Sequence, residues 1–172
     1  MLLRHFHSRR TGTYAVEAVV VYPILFFLVI GQIVGGMGVF RYQQVAHLSR
    51  EAARFAAVHG GQYQQENAAA ITAGQLPNVT EDYIKQQIVQ AKAISMDASR
   101  LSVQVSFNNA NGSFGWDDTA NNGNRYPFAE NSDGTAALTN TVSVTVTYQW
   151  FPESLLIGPY TITSTSVIPM SY

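Results

Sequence analysis

Residues 9–17 read Arg9-Arg10-Thr11-Gly12-Thr13-Tyr14-Ala15-Val16-Glu17. Residues 18–40 follow without a formal charge, and the next charged residue is Arg41. Most of this run is Val, Ile, Leu, Phe, Gly or Met. At about 1.5 Å per helical residue, such a run spans roughly 34 Å, slightly more than the hydrocarbon core of a bilayer. The pattern predicts a transmembrane helix at residues 18–40 with one acid, Glu17, at its entrance.

Charge is distributed unevenly along this chain of 172 residues, whose formal net charge is −1. Residues 1–12 hold Arg4, Arg9 and Arg10 and no acid, and all 11 acidic residues follow. Because positive charge marks the cytoplasmic side of a span, we expect a single-pass protein with a cytoplasmic N-terminus and an exported C-terminal part. The exported part is weakly acidic, which gives no reason to expect nucleic-acid binding.

Two other interpretations of the N-terminus remain open. A secretory signal peptide would be cut near Val34-Gly35-Gly36, but its apolar region is normally shorter, at about 7–15 residues. A plain signal anchor would keep its leader and explain the span and the orientation. Neither interpretation explains why Gly12 and Glu17 flank the start of the span at this spacing.

The helical pattern continues beyond the predicted span, so we expect one long helix over residues 13–60. Gly60-Gly61 is predicted to end it, since glycine is favoured just after a helix. Within the span, Gly31 and Gly35 are four apart, a spacing that lets two helices approach closely in lipid, although glycine is also common in such spans. The apolar positions after Arg41 recur every three or four residues: Tyr42, Val45, Leu48, Ala52, Phe55 and Ala56.

Residues 61–172 are predicted to form an exported α+β head. A short helix is expected near residues 67–73, and Thr80 is a candidate N-cap for a second helix with an apolar stripe of Ile84, Ile88 and Ala91. Alternating apolar and polar residues then predict strands at 101–107, 142–148 and 161–168. The fold class is therefore α+β, with an antiparallel sheet of about three strands packed on helix.

Residues 108–140 lack any regular period and are rich in Asn, Gly, Asp and Ser. This predicts a long loop, and loops of this length in a compact domain are usually mobile or functional. The loop carries four aromatic residues: Phe114, Trp116, Tyr126 and Phe128.

A glycine five residues before an acid, with basic residues upstream, resembles the processing site of type IV prepilins. If the chain is cut after Gly12, Thr13 becomes the N-terminus and Glu17 lies one helical turn further on. The new amine and the Glu17 carboxylate are then able to pair, within one subunit or between neighbours. The spacing alone leaves open the alternative that Glu17 only reaches the lipid headgroups.

The sequence also resembles the TadE family of pilin-like proteins. The resemblance covers residues 9–58, through the Ala15-Val16-Glu17 start, the span with Pro23, and the helix Ser49-Arg50-Glu51-Ala52-Ala53-Arg54-Phe55-Ala56-Ala57. A looser similarity extends over residues 140–170, where a strand is followed by a Pro-containing loop and a Thr/Ser-rich strand.

The resemblance implies a minor pilin or pseudopilin of a tight-adherence pilus system, anchored in the bacterial inner membrane with its head periplasmic or extracellular. A prepilin peptidase would cut after Gly12, leaving Thr13 at the N-terminus and Glu17 to help register or extraction. Residues 1–12 would then be a removable leader. The implied partners are the peptidase, the lipid bilayer, and other pilins or pilus assembly membrane proteins.

The sequence does not indicate a catalytic site. The chain has no cysteine, which excludes disulfides, thiolate catalysis and cysteine metal sites. The histidines lack ligand-like spacing with a carboxylate, and no nucleophile or phosphate-loop motif occurs. We therefore expect no enzyme activity, no cofactor and no metal. A membrane-anchored binding module that uses loop 108–140 to recognise a partner is the competing hypothesis.

Overall fold

A computed structural model of the chain describes residues 11–109, 112–118, 125–130, 136–152 and 158–171. The chain divides into two compact units, Met1–Val39 and Phe40–Tyr172. Of the predicted leader, residues 1–10 lie outside the described residues, and so do parts of the predicted loop 108–140.

The first element is a long helix, α1 (Thr11–Ala57), of 47 residues. From Tyr14 onward it is long and apolar enough to cross a membrane. Pro23 lies inside the helix without ending it, as proline often does in spans where other groups satisfy the freed carbonyl.

The helix ends three residues before the predicted Gly60-Gly61 stop. Its last carbonyls find partners outside the helix: Nδ1 of His59 lies 2.8 Å from the Phe55 carbonyl oxygen, and the Ser171 N–H donates to the Ala57 carbonyl at 3.1 Å. Gly60 instead precedes the next helix as its N-cap. The predicted role of the two glycines was therefore wrong, because side-chain and backbone donors end α1 earlier.

The C-terminal part of α1 buries one face in the head. The predicted stripe is confirmed from Val45 onward, but Tyr42 is 57% exposed, because the cover of the helix begins one turn later. Phe55 is half-buried and stacks on His59 at 4.0 Å between ring centroids. The buried residues of this face are mostly small: Val45, Leu48, Ser49, Ala52, Ala53, Ala56 and Ala57.

Three short helices follow: α2 (Gly61–Glu66), α3 (Ala68–Thr72) and α4 (Glu81–Tyr83). The helix expected near 67–73 is α3. The Thr80 N-cap is also confirmed, since its side-chain oxygen accepts a hydrogen bond from the Tyr83 N–H at 3.2 Å.

Helix α4 continues as a π-helical segment, Ile84–Gln90. The predicted stripe is confirmed only at Ile84: Ile88 is half-buried, Ala91 is exposed, and Val89 is fully buried instead. A π-helix has hydrogen bonds between residues five apart. Ile84 and Val89, five apart, therefore share the face that packs into the head.

The described residues contain six strands in two sheets: β1 (Leu101–Asn109), β2 (Gly112–Gly115), β3 (Phe128–Glu130), β4 (Ala136–Thr139), β5 (Thr141–Trp150) and β6 (Tyr160–Pro169). The larger sheet is antiparallel with the order β2-β1-β5-β6, and β3 pairs with β4 in a separate two-stranded sheet. The three predicted strands are β1, β5 and β6. The fourth, β2, and the β3–β4 pair lie inside the region predicted as loop.

The larger sheet packs on α1 through one apolar face. Apolar residues, most of them valine, alternate inward along β1 and β5, and polar residues, most of them Ser and Thr, lie on the opposite face. Strand β6 places Ser164 and Ser166 on the face towards the helix, between Ile162 and Ile168. The Ser164 hydroxyl lies 3.0 Å from the hydroxyl of Ser49, which is fully buried. Small residues on both elements let the helix and the sheet approach closely. The expected α+β class, with a sheet packed on helix, is confirmed.

Candidate functional site

The predicted processing residues lie at the start of α1. Gly12 and Glu17 are exposed, and helical backbone begins at Thr11, so the peptide bond between Gly12 and Thr13 lies in the first turn. Residues four apart on a helix share a face. The backbone of Thr13 and the exposed Glu17 are therefore neighbours along one side of α1, which is the placement that a pairing of the two requires.

Gly31 and Gly35 also lie on the surface of α1. A Cβ atom added to either glycine would meet nothing within 4 Å. No close contact inside the described part of the chain therefore requires glycine at these two positions. The surface that they form is available for another helix.

The aromatic residues of the predicted loop 108–140 are used inside the head. Trp116 is 0% exposed, and its indole N–H donates to the Val79 carbonyl at 2.9 Å. Phe114 is half-buried and stacks on Phe107 at 5.4 Å. The Tyr126 hydroxyl lies 3.1 Å from a side-chain oxygen of Gln65. The side chain of Phe128 lies outside the described residues.

Arg125 is buried against Trp116, and its guanidinium carbon lies 4.6 Å from the indole ring. Its Nη2 donates to Gln64 Oε1 at 2.7 Å, and its backbone oxygen accepts from the Gly61 N–H at 2.6 Å. Burial lowers the pKa of Arg125, and the nearby Asp117 carboxylate acts in the opposite direction. These residues, the Trp116 cluster, join three separate segments of the head.

Glu81 and Asp117 sit beside the cluster, and both carboxylates accept hydrogen bonds from backbone. The Val105 N–H donates to Glu81 Oε2 at 3.3 Å, at the point of β1 where the pairing with β2 stops. The Glu81 N–H donates to Asp117 Oδ2 at 3.0 Å. Burial raises the pKa of Glu81, while the hydrogen bond from Val105 acts against the shift. These acids hold the start of α4 to the sheet.

A cleft of about 410 Å³ lies between α1 and the chain that follows the π-helical segment. Ile94 is 75% exposed at its mouth, more than any other large apolar side chain in the described part of the chain. Among the described residues, no group of three or more His, Asp or Glu side chains is placed to hold a metal ion. The residues that line the cleft are Gln44, His47, Leu48, Ala91, Lys92, Ala93, Ile94 and Met96.

Comparison with known proteins finds a similarity in the N-terminal segment. Residues 12–54 match the family model of TadE-like proteins. The resemblance seen in the sequence is thereby confirmed over the start of α1, the apolar run and most of the helix that follows. The match does not extend to residues 140–170. No curated protein and no solved structure matches the chain significantly.

The TadE-like segment contains every predicted site residue: Gly12, Thr13, Glu17, Gly31 and Gly35. A TadE-like sequence and a membrane-spanning helix are consistent with pilus-related or membrane partners. The sequence did not reveal the Trp116 cluster, because its members are far apart in the chain and Arg125 stands in an Asn- and Gly-rich region.

Proposed function

We propose that this protein is a minor pilin or pseudopilin of a tight-adherence pilus system. The observation that carries the proposal is the TadE-like match, which runs from the predicted cleavage glycine through the whole apolar run. Helix α1 would anchor the protein in the bacterial inner membrane and support pilus assembly and adherence. The basic leader favours a cytoplasmic N-terminus with the head on the other side.

In this proposal a prepilin peptidase cuts between Gly12 and Thr13. The helical backbone from Thr11 supports a role for Glu17 in the mature protein, since the freed amine of Thr13 and the Glu17 carboxylate lie one turn apart. In lipid an unpaired carboxylate is costly, so a partner amine on the same or a neighbouring subunit stabilises the assembled state.

Other pilus subunits would pack along the face that contains Gly31 and Gly35. The open space around both glycines supports this assignment. Small residues four apart allow two helix backbones to approach closely, and the packing and interhelical contacts that result drive association in lipid.

The head is proposed to have a structural role and no enzyme activity. Its buried aromatic residue Trp116 and the carboxylates of Glu81 and Asp117 contact other parts of the head. This use of the residues favours a packed assembly subunit over a recognition loop.

Deletion and complementation in the native host test the pilus role. We expect a deletion strain to lose surface pili and adherence, and the wild-type chain to restore both. Glu17→Ala should restore neither, while the matched control Glu51→Gln, which changes an acid further along the same helix, should restore both. Normal piliation in the deletion strain would overturn the proposed function.

A further inference from the structure

The segment between the Thr80 cap and the turn at Ser95 departs from regular α-helix. Ile84–Gln90 is π-helical, and the Ala91 N–H that follows it donates to the Gln86 carbonyl, five residues back. π-Helix is rare, and it appears mostly as single turns that insert one residue into an α-helix. A run of this length therefore calls for stabilising contacts outside the helix.

Both ends of the segment are held by other parts of the head. At the start, Glu81 accepts a hydrogen bond from the backbone of β1. At the end, Lys92 pairs with Glu51 of α1, and the Gln44 Nε2 donates to the Ile94 carbonyl at 3.2 Å. Because each end has its own contacts, the residues between them must take up the whole distance, and the π-helix does so.

The turn after the segment carries backbone strain. Ser95 has a φ of 57°, which lies in the left-handed region that residues other than glycine seldom adopt. This strained residue follows directly on Ile94, whose carbonyl is held by Gln44. The contacts with α1 therefore hold the turn in a conformation that its own sequence does not favour.

Two different apolar residues fit the same buried position of the segment. Val89, five residues after Ile84, is fully buried, whereas Ile88 is half-buried. In an α-helix the residue four after Ile84 shares its face. Ile88 would then occupy the buried position, and Val89 would turn to the half-buried place that Gln90 holds. Both side chains are β-branched and apolar, so the sequence supports burial in either register.

One contact at the end of the segment distinguishes the two registers. If the segment becomes α-helical, each later residue moves on by one position, and Ala91 replaces Lys92 beside Glu51. The ion pair is then lost. Gln44, by contrast, donates to a backbone carbonyl, and the carbonyl of the preceding residue serves equally well. The side chain of Lys92 is 47% exposed, and an exposed pair changes an equilibrium constant by about fivefold at most.

We propose that residues 84–95 form an element with two helical registers, and that the ion pair of Lys92 with Glu51 favours the π-helical one. In the second register the segment is α-helical, Ile88 is buried in place of Val89, and the ion pair is broken.

The two registers present different surfaces beside α1. Residues 91–94 line the cleft that also contains Gln44, so a shift by one residue changes which side chains enter the cleft. A partner that binds one form of the cleft, or that engages Glu51 or Lys92, shifts the population between the registers. Neither register depends on the proposed pilus role.

Thiol labelling of the full chain in detergent tests the two registers, since the chain has no native cysteine. Single cysteines are introduced as Ile88→Cys, Val89→Cys and Val146→Cys, the last at a fully buried position of β5. A maleimide reports how often each position is exposed, and Val146→Cys reports opening of the head as a whole. Each variant is combined with Lys92→Gln and, as the matched control, with Lys85→Gln, because Lys85 makes no ion pair in the described part of the chain.

Lys92→Gln should raise the labelling rate at Val89→Cys by about two- to fivefold, without raising the rate at Ile88→Cys or Val146→Cys. Lys85→Gln should change none of the three rates. Equal acceleration at positions 88 and 89 would indicate local loosening, and an unchanged rate at Val89→Cys would indicate that the ion pair does not set the register. Either result would overturn the proposal, as would faster labelling at Val146→Cys, which would assign the effect to the whole head.

A second variant populates the α-helical register directly. Val89→Thr keeps nearly the same side-chain shape but places a hydroxyl at the buried position, which favours burial of Ile88 instead. Labelling at Ile88→Cys should therefore become severalfold slower when Val89→Thr is added. With a single register, Val89→Thr would leave the rate at Ile88→Cys unchanged or raise it, and that result would refute the second register.

Discussion

Trp116→Phe should destabilise the head more than the loss of ring size explains. The indole of Trp116 is fully buried and donates to the Val79 carbonyl, whose other donor, Gln64 Nε2, is distant at 3.4 Å. Phenylalanine has no donor for this carbonyl and offers a weaker face to the Arg125 guanidinium, which lies over the ring.

The magnitude follows from two contributions. Leaving a buried acceptor poorly satisfied costs about 1–2 kcal/mol, and the smaller ring leaves unfilled volume that costs about 1 kcal/mol more. The expected decrease in the free energy of unfolding is therefore about 2–3 kcal/mol. With a urea m-value of about 1.5–2 kcal/mol/M for a head of this size, the unfolding midpoint should fall by roughly 1–2 M.

Pulse proteolysis of the full chain in detergent measures this midpoint without relying on tryptophan fluorescence. Trp150→Phe is the matched control, because Trp150 is also buried in the head and makes a ring contact with Tyr160 at 6.4 Å, but its indole donates to no group in the described part of the chain. Trp150→Phe should lower the free energy of unfolding by about half as much as Trp116→Phe, or less. Equal midpoints for the two variants, or an unchanged midpoint for Trp116→Phe, would refute the buried hydrogen bond.

Three further predictions concern other parts of the molecule. Gly61→Ala should lower stability by about 1–3 kcal/mol in the same assay, because its Cβ would lie 3.0 Å from the Arg125 carbonyl oxygen. At neutral pH the unfolding midpoint of Glu81→Gln should equal or exceed that of the wild type, because glutamine keeps an acceptor for the Val105 N–H. The midpoint of Glu81→Ala, which has no such acceptor, should be lower than that of the wild type. The folded-state pKa of Glu81 is raised, so the folded protein binds a proton more readily than the unfolded chain as the pH falls towards 4.5. The wild type therefore gains stability over that range, and the difference in midpoint between Glu81→Gln and the wild type should shrink. Gly35→Leu should leave the unfolding midpoint unchanged but weaken self-association in vesicles measured by energy transfer, whereas Val29→Leu should change neither.

The parts of the fold that the sequence predicts are those with a long, regular pattern. Strands β1 and β5 alternate apolar with polar residues over most of their length, and α1 combines an uncharged run with a helical stripe. Thr80 was predictable as a cap because capping depends on local backbone geometry.

The parts that the sequence does not predict depend on contacts between distant residues. Strand β2 is only Gly112–Gly115, too short for a periodic signal, and it forms by pairing with β1. Trp116 resembles an exposed recognition residue in its Asn-rich surroundings, yet its hydrogen-bond acceptor, Val79, is 37 residues away. The π-helical segment shifts burial from Ile88 to Val89, because its wider turn replaces the spacing that the helical pattern assumes.

The candidate site divides in the same way. The motif from Gly12 to Glu17 and the Gly31–Gly35 spacing are visible in the sequence because their residues are close together in the chain, and their roles in processing and helix packing stay predictions. The exposure of Ile94 could not be found from sequence, since a lone isoleucine between Ala93 and Ser95 gives no sign of it. Its position depends on how the turn lies against Gln44 of α1.

The N-terminal residue of the mature protein tests the central claim most directly. Intact mass and N-terminal sequencing are compared for the full chain expressed with and without a prepilin peptidase, and for Gly12→Asp with the peptidase present. We expect a chain that begins at Thr13 only when both the peptidase and Gly12 are present. A chain that still begins at Met1 with the peptidase present would contradict it in favour of an uncleaved anchor, and a start near Met37 would instead indicate a secreted domain without an anchor.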